Sequence, residues 1–350
     1  MSSTGPSVSV IVLTFNAAEF VERCLTAVFA QSYSDFELIV VDNASSDGTI
    51  DLVRNRFPEA RILASPTNGG YGAGNNLGAA HAAGDTFVFL NPDAVPERDW
   101  LNNLIEGMRQ HHQQFATSKI TLLSNPERLN SGGNLIHYLG LSFCRGLNAR
   151  SRRFDTPELI SGASGAACAI SRDLFQKIGG FDPSFFLYHD DVDLSVRALV
   201  AGQRCLYVPE AVVAHDYDLS VPPVKWGWIE AHRYAVLLKI FDVRTLLVLS
   251  PALLLIDLVT LAYLASRGPD FFAAKLRSYG WVARHAGVIL ENRRRAQAVR
   301  RLPDCQILAV LTDQIPYEQL ASPLVAYLAH LLVDPWFRLY RRLSMAIVHW

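Results

Sequence analysis

The chain has 350 residues, half of them hydrophobic and 19% charged, with a formal net charge of −1. That length carries one large domain with appendages or two domains. The composition excludes a long disordered tract, and the balanced charge by itself names no partner. Charge is unevenly spread: residues 271–350 hold 11 Lys+Arg and 5 Asp+Glu, whereas the first 270 hold 21 and 28. This is either chance asymmetry or the mark of a basic rear half that meets nucleic acid or anionic lipid. The five cysteines (Cys24, Cys144, Cys168, Cys205, Cys305) are scattered and include no CxxC pair. They read as reduced thiols of a cytosolic compartment rather than a disulfide frame or a zinc site. The opening "MSSTGPSVSV" has no basic stretch and no long apolar run, so a secretory signal is not expected.

In chain order, "VSVIVLT" at 8–14 is an apolar, β-branched run suited to a strand buried on both faces. Phe20, Val21, Cys24, Leu25, Val28 and Phe29 then recur at helical spacing. "FELIVV" at 36–41 is a second strand, followed by the helix "TIDLVRNRF" with Asp47 as its candidate cap, and by the strand "ARILAS". "GYGAGNNLGAAHAAG" predicts a small-residue helix and "TFVFL" at 86–90 a fourth strand. Four strand–helix alternations within 90 residues predict βαβ units and a largely parallel α/β sheet. From 115 to 215 the pattern loosens. "SGGNLIHYLGLSFCRGLNARS" reads as strand and loop, and "LISGASGAACAIS" as a strand closely approached by backbone or ligand. "RDLFQKIGGFD" is a short helix, "DDVDLSVRALVAG" a helix ended by Gly202, and "QRCLYVPEAVVAH" two short strands split at Pro209. "DYDLSVPPV" at 216–224 reads as a linker, which divides the chain into 1–216 and a helical 217–350.

Polar residues end the strands where ligands bind in such sheets, beyond the C-terminal strand ends. Asp42 in "VDNASSDGT" can accept hydrogen bonds from a base or ribose, or the stretch is a plain helix cap. Asp93 in "FLNPDAVP" can hold one face of Mg²⁺ or Mn²⁺, or Asn-Pro-Asp is simply a turn. His215 is a lone histidine, the residue type that is more often structural than a metal ligand. "NGGYGAGNN" lacks the GK[ST] ending of a P-loop and does not fit GxGxxG with a distal acid. Its small residues would still let a phosphate or sugar come close. Asp190, Asp191 and Asp193 crowd three carboxylates at one predicted helix start, where negative charge is favoured. Crowding of this kind raises a carboxyl's pKa.

"VSVIVLTFN", "VDNASSDGT", "NGGYGAGNN", "FLNPDA", "GAACAISRDLFQKIGGFDPSFFLYHDDVDLSVRA" and "VPEAVVAH" follow one another as in the inverting family-2 glycosyltransferases of GT-A fold. The resemblance spans about residues 7–216 and is nearest to the rhamnosyltransferase-like branch. It implies an α/β GT-A (Rossmann-like), mostly parallel sheet with flanking helices and a C-terminal helical extension. It also implies that Thr14, Asn16, Asp42, Asn43, Gly70, Asn75, Asn91 and Asp93 bind the nucleotide-sugar donor. Asn91 stands at the first acid of the family's Asp-x-Asp motif, and Asp93 keeps the last. Asp93 and His215 would hold Mg²⁺ or Mn²⁺ on the diphosphate. Asp190–Asp191 aligns with the family's Glu-Asp pair, which makes Asp191 the general base. Asp190 and the turn Gly180, Phe181, Asp182 would border the acceptor. Asp193 would serve only the helix terminus.

Inverting transfer needs a base on the acceptor side and charge stabilisation on the diphosphate side, and Asp191 and Asp93 answer to those needs. The expected partners are a nucleotide sugar, dTDP-rhamnose being favoured, and a glycan or polyprenol-linked acceptor. A sugar nucleotidyltransferase would need an early Gly-rich triphosphate loop, and "TFNAAEF" is not one. An inactive glycan-binding scaffold of a polysaccharide assembly would not need Asp42, Asp93 and Asp191 together.

"TLLVLSPALLLIDLVTLAYLAS" at 245–266 carries one charge, Asp257, and one proline, Pro251. Its length allows a membrane span, but Asp257 at a helix centre would cost about 2.5–3.5 kcal/mol. An interfacial or re-entrant helix, a span, and a buried or oligomer-forming helix are the three readings. Aromatic residues interleaved with Lys275, Arg277, Arg284, Arg293, Arg294, Arg295, Arg300 and Arg301 favour the first. The expectation is a peripheral or monotopic enzyme on the cytoplasmic face of the inner or plasma membrane, with oligomerisation open. No nucleic-acid motif accompanies the arginines.

Overall fold

The alternation of strand and helix holds through the first 90 residues. β1 (Val8–Thr14), β2 (Phe36–Asp42), β3 (Arg61–Ala64) and β4 (Thr86–Leu90) alternate with α1 (Val21–Phe29), α2 (Thr49–Arg56) and α3 (Gly70–His81). β5 (Ala94–Pro96), α4 (Trp100–Gln110), β6 (Phe115–Leu122), β7 (Asn125–Ser131), β8 (Asn134–Ile136) and β9 (Ser142–Cys144) follow. β10 (Glu158–Ile160), β11 (Ala167–Ser171), α5 (Arg172–Lys177), α6 (Asp190–Val200) and β12 (Cys205–His215) complete the α/β part. The computed structural model describes residues 6–217 and 221–350. Residues 1–5, where a leader was considered, and 218–220 of the expected linker therefore lie outside the described residues.

The chain divides into two compact units. The first comprises residues 1–134, 144–195 and 203–218, and the second residues 135–143, 196–202 and 219–350. The first unit is built on a sheet with strand order β10-β12-β6-β11-β4-β1-β2-β3. β4, β1, β2 and β3 run parallel, as the βαβ pattern requires, and β6 and β12 are also parallel. β11 lies antiparallel between β4 and β6, so the sheet is mixed and largely parallel. Val10, Val12, Val40, Val88 and Ala169 belong to the core of one face, where Val21, Cys24, Leu25 and Val28 of α1 also pack.

Several elements escape the periodicity reading, among them β5, α4, β6 and β7. β6 reads FATSKITL, with polar residues where a central strand is expected to be apolar. Those groups are satisfied internally: Thr117 Oγ1 donates to Ala167 O at 3.2 Å and Ser118 Oγ accepts from Trp100 Nε1 at 2.8 Å. Buried polar groups with partners cost little. At the C-terminal end of the sheet, Pro209 does not split two strands. β12 runs unbroken to His215, and its register shifts between Val208 and Val212. Pro209 has no N–H to offer the ladder and sits in that irregularity.

The second unit is helical: α7 (Pro223–Ile240), α8 (Val243–Ser266), α9 (Pro269–Arg284), α10 (Ala286–Ala298), α11 (Asp304–Val310), α12 (Pro323–Leu332) and α13 (Asp334–Ile347). α8 contains the expected apolar run. Among the described residues it is the one helix long and apolar enough to cross a membrane by length and composition. Asp257, on this helix, is paired. Its carboxylate accepts from Lys275 Nζ at 2.6 Å, from Tyr279 Oη at 2.7 Å and from Tyr234 Oη, and lies 3.3 Å from Arg233. Lys275 and Arg233 both also meet Glu230, and these three side chains are fully buried. The quartet holds two carboxylates and two cations.

Not all of the basic residues face outward, as an interfacial helix would need. Lys275 is a core residue. Arg293 donates to the carbonyls of Leu238 and Phe241, and Arg300 to that of Ile240, so both cap the open C-terminal end of α7. Apolar side chains do stand outward: Leu247, Leu254 and Leu258 on α8, Leu324, Leu331 and Leu332 on α12, and Leu339, Leu343 and Ile347 on α13.

Candidate functional site

The parallel register of β1, β2 and β4 brings Thr14, Asp42 and the Asn91–Asp93 turn to one edge of the sheet. Asp42 is buried, and its carboxylate accepts from Thr14 Oγ1 at 3.2 Å and from Ser45 N at 3.1 Å. Asn16 adopts a left-handed φ of 49° and its Oδ1 accepts from Ser46 N at 2.9 Å, which closes the β1 loop onto the β2 loop. Asp47 is not the cap residue of α2. Gly48 holds that position, while Asp47 accepts from Ala18 N at 3.0 Å and Thr49 N at 3.1 Å.

Asn43 ties this edge to α3. Its Nδ2 donates to Asn68 Oδ1 at 2.8 Å and Gly70 O at 3.1 Å, and its Oδ1 accepts from Gly69 N at 3.1 Å. Gly70 has φ +85°, and a Cβ there would run into the carbonyl of Phe186, which already accepts from Tyr71 N at 2.9 Å. The later glycines do not wait for a phosphate. A Cβ on Gly74 would strike Leu13, and one on Gly78 would strike Ile11, so these glycines let α3 lie tightly on β1. Asn75 is buried, with Nδ2 donating to Tyr71 O at 3.0 Å. Asn43 and Gly70 thus join the end of β2 to the start of α3, and Asn75 bonds within α3.

Asp93 and His215 are 122 positions apart and meet because β5 pairs antiparallel with β12, setting His215 opposite Ala94. Asp93 Oδ1 lies 3.1 Å from His215 Nε2, and the other ring nitrogen lies 2.9 Å from Asn130 Oδ1. The Asp93 side chain is 30% exposed and that of His215 8%. One carboxylate oxygen and one imidazole nitrogen suit a divalent cation with mixed O/N preference. Among the described residues no third His, Cys, Asp or Glu joins them, so remaining ligands would be diphosphate oxygens and water. Asn91 does not turn its backbone to a ligand: its N–H donates to Ala166 O at 2.9 Å.

The neighbouring residue of that same loop reaches the acidic knot. Gly165 N donates to Asp191 Oδ2 at 2.9 Å, Asn134 Nδ2 donates to the same oxygen at 2.8 Å, and Val192 N donates to Oδ1 at 2.8 Å. Three N–H donors fix the Asp191 carboxylate at the start of α6, and it remains partly exposed. Tyr188 and His189, just before α6, have φ of 68° and 63°. Left-handed backbone at two non-glycine residues costs about 1–2 kcal/mol each, and such strain collects at functional sites.

The three carboxylates part company in their surroundings. Asp190 is buried, and its Oδ1 has no hydrogen-bond partner. Burial first, then the charge of Asp191, push its carboxyl well above the usual range. Asp193 is fully buried rather than a surface charge on the helix end. The expected acceptor border also turns inward. Phe181 is buried against Phe89, Phe175 and Tyr71, and Gly180 is buried with φ +68°. Asp182 accepts from Ser184 N at 3.0 Å and Ser184 Oγ at 2.6 Å. These residues shape the loop, and their side chains do not line an open surface.

Asn130, Asn134, Tyr71 and Gly165 are the participants that sequence reasoning misses. They lie in "LNSGGN", the small-residue helix and the "SGASGAA" loop, and their partners are 26 to 94 positions away.

Residues 9–179 match the family model described as glycosyl transferase family 2. Glycosyltransferase AglE of Haloferax volcanii is 39% identical over 229 residues, covering 61% of this chain and 68% of the relative. An N-acetylglucosaminyl-diphospho-decaprenol L-rhamnosyltransferase of Mycobacterium tuberculosis is 26% identical over 67% of this chain and 83% of its own length. Among solved structures, GalNAc-T7 with UDP, GalNAc and Mn²⁺ aligns with a TM-score of 0.55 at 16% identity, covering 68% of this chain and 48% of that one. With a mixed, largely parallel sheet, the chain belongs to the family-2 glycosyltransferases and is an enzyme of GT-A fold.

Proposed function

We propose that this enzyme moves a sugar, with inversion, from a nucleoside-diphosphate donor to a hydroxyl of a cell-surface glycan or polyprenol-linked acceptor. The observation that carries the reading is the convergence at one sheet edge of the Asp93–His215 pair and of Asp191, bridged by the 165–166 loop. Residues 1–216 would form the transferase domain and 217–350 the membrane-associated region.

Asp42, Thr14 and Asn16 would receive the nucleoside, and the Asp93–His215 pair would lie at the diphosphate. A divalent cation there, Mg²⁺ or Mn²⁺, would supply positive charge to the leaving diphosphate. The cation bound in GalNAc-T7 supports that choice. On the other side Asp191 accepts the proton of the acceptor hydroxyl. The hydroxyl oxygen bonds to the anomeric carbon as the carbon–oxygen bond to the diphosphate breaks, and that electron pair leaves with the diphosphate. The N–H donors on Asp191 hold the carboxylate in place for that proton transfer.

The acceptor class rests on the outward leucines of the second unit, which suit a lipid surface, and on the printed name of the decaprenol-linked rhamnosyltransferase. Rhamnose from dTDP-rhamnose is the first donor to try, with the enzyme on the cytoplasmic face of the membrane as a peripheral or monotopic protein.

A panel of nucleotide sugars, screened by thermal shift with and without Mn²⁺, identifies the donor. Asp191→Asn is then expected to lower turnover by about 10²–10⁴-fold while calorimetric donor binding survives. Turnover within tenfold of the parent would remove Asp191 from the role of base.

A further inference from the structure

We infer that Asn130 is a positioning residue that selects the tautomer of His215 and thereby decides whether Nε2 can bind a cation. The inference rests on the proposed cation site at Asp93 and His215. Asn130 lies on β7, is 2% exposed, and places its Oδ1 2.9 Å from His215 Nδ1. Its Nδ2 is buried with no partner. On the far side of the ring, Nε2 faces Asp93 Oδ1 at 3.1 Å.

A carbonyl oxygen can only accept, so Nδ1 must carry the hydrogen in this arrangement. In the neutral ring Nε2 is then a bare lone pair, pointed at a carboxylate oxygen that also has only lone pairs. Two acceptors 3.1 Å apart repel unless something positive stands between or beside them. A divalent cation is one answer, and Nε2 and Oδ1 then become its ligands. A second proton on the ring is the other, and it blocks the metal.

The orphaned Nδ2 sharpens the point. Rotating the amide by a half-turn would let Nδ2 donate to Nδ1 and leave Nε2–H to donate to Asp93. That state satisfies the ring without a cation, so the two amide orientations correspond to two states of the site. Orientation with Oδ1 toward the ring is the cation-binding state, and leaving Nδ2 unpaired in it is the cost of holding the tautomer. Oxygen and nitrogen of an amide are told apart by such networks and not by shape.

The test uses the full-length protein with Mn²⁺ alone, followed by the electron paramagnetic resonance signal of the free ion. Asn130→Leu keeps the volume and removes the acceptor. It is expected to weaken Mn²⁺ binding by about 10–100-fold, as His215→Ala should do at least as strongly. Asn130→Asp restores an acceptor toward Nδ1 and should recover affinity, whereas a merely structural role for Asn130 would leave both variants equally impaired. Independently, ¹⁵N shifts of histidine-labelled protein in saturating Mg²⁺ should show His215 with hydrogen on Nδ1 only. Hydrogen on Nε2 under those conditions overturns the inference. Asn130→Leu binding as tightly as the parent, while His215→Ala does not bind, overturns it and leaves the cation site standing. Parent-like binding by His215→Ala overturns both.

Discussion

Replacing Lys275 by Met should destabilise the helical unit severely, and the loss should be partly reversed by removing a second charge. Lys275 Nζ faces four acceptors: Glu230, Asp257, Tyr234 Oη at 2.7 Å and Thr260 Oγ1 at 3.0 Å. An ammonium has three N–H donors, so each is engaged and one is shared. Met fills similar space and takes away the charge, leaving Glu230 fully buried with Arg233 as its remaining cation. Breaking a buried pair from one side costs about 3–5 kcal/mol. At about 2–4 °C per kcal/mol, the midpoint of unfolding should fall by roughly 6–20 °C. Five of the six tryptophans (226, 228, 281, 336, 350) lie in this unit, so their fluorescence follows its melting. In Lys275→Met/Glu230→Gln the orphaned charge is gone, and the coupling energy should be about 1–3 kcal/mol of recovery. Strictly additive losses, or a single variant that melts like the parent, would refute the closed-network account.

Gly70→Ala forces a side chain into a left-handed position and against Phe186 O, and should lower stability by at least about 1–2 kcal/mol while disordering the approach to Asp191, read by thermal melting and transfer rate. Burial lowers the His137 imidazole to about 3, with Nδ1 accepting from Leu139 N at 3.2 Å. The unfolded chain therefore binds the extra proton first as pH falls below about 6.5, and stability declines between pH 6.5 and 3 by up to about 1.4 kcal/mol per unit; in His137→Gln, urea midpoints should show a shallower slope over that window. At Gly165 a Cβ would come 3.2 Å from Tyr71 Oη and 3.5 Å from Asp191 Oδ2, so Ala needs only slight adjustment whereas Val should displace the carboxylate. A displacement near 1 Å costs on the order of 10²-fold in rate, so equal kcat in Gly165→Ala and Gly165→Val would count against Asp191 as base.

The βαβ half of the first unit was legible because its strands are buried on both faces and read as apolar runs. Asp42 and Asp93 stood out for the same reason, as polar residues ending such runs. β6 was not legible, since Thr117 and Ser118 hide a central strand behind groups whose partners, Ala167 and Trp100, are remote in sequence. The outward placing of Lys275 failed similarly: residue type gave its charge, and only the packing of α7, α8 and α9 gave its counter-ions. Phe181 and Asp182 lie in a matching motif, yet the motif reports a turn whose side chains point into the protein. The tie between Asp191 and Asn134 joins residues 57 positions apart and has no local signal.

The buried acids of the helical unit and the three acids of the candidate site are met differently, and the difference bears on mechanism. In the helical unit Glu230 and Asp257 meet Arg233 and Lys275, and the sum is neutral. At the sheet edge Asp42 is met by a hydroxyl and an N–H and Asp191 by three N–H groups, while Asp93 Oδ1 faces His215 Nε2. Among the described residues none of these three acids has a lysine or arginine partner. Neutral donors orient a carboxylate without cancelling its charge. A diphosphate brings further negative charge to the same edge, and like charges within a few ångströms repel by several kcal/mol at the dielectric of a partly buried site. On the proposed function, a nucleotide sugar bound here would call for added positive charge, and the Asp93–His215 pair, where an acid and an imidazole nitrogen stand 3.1 Å apart, would be the place to receive it.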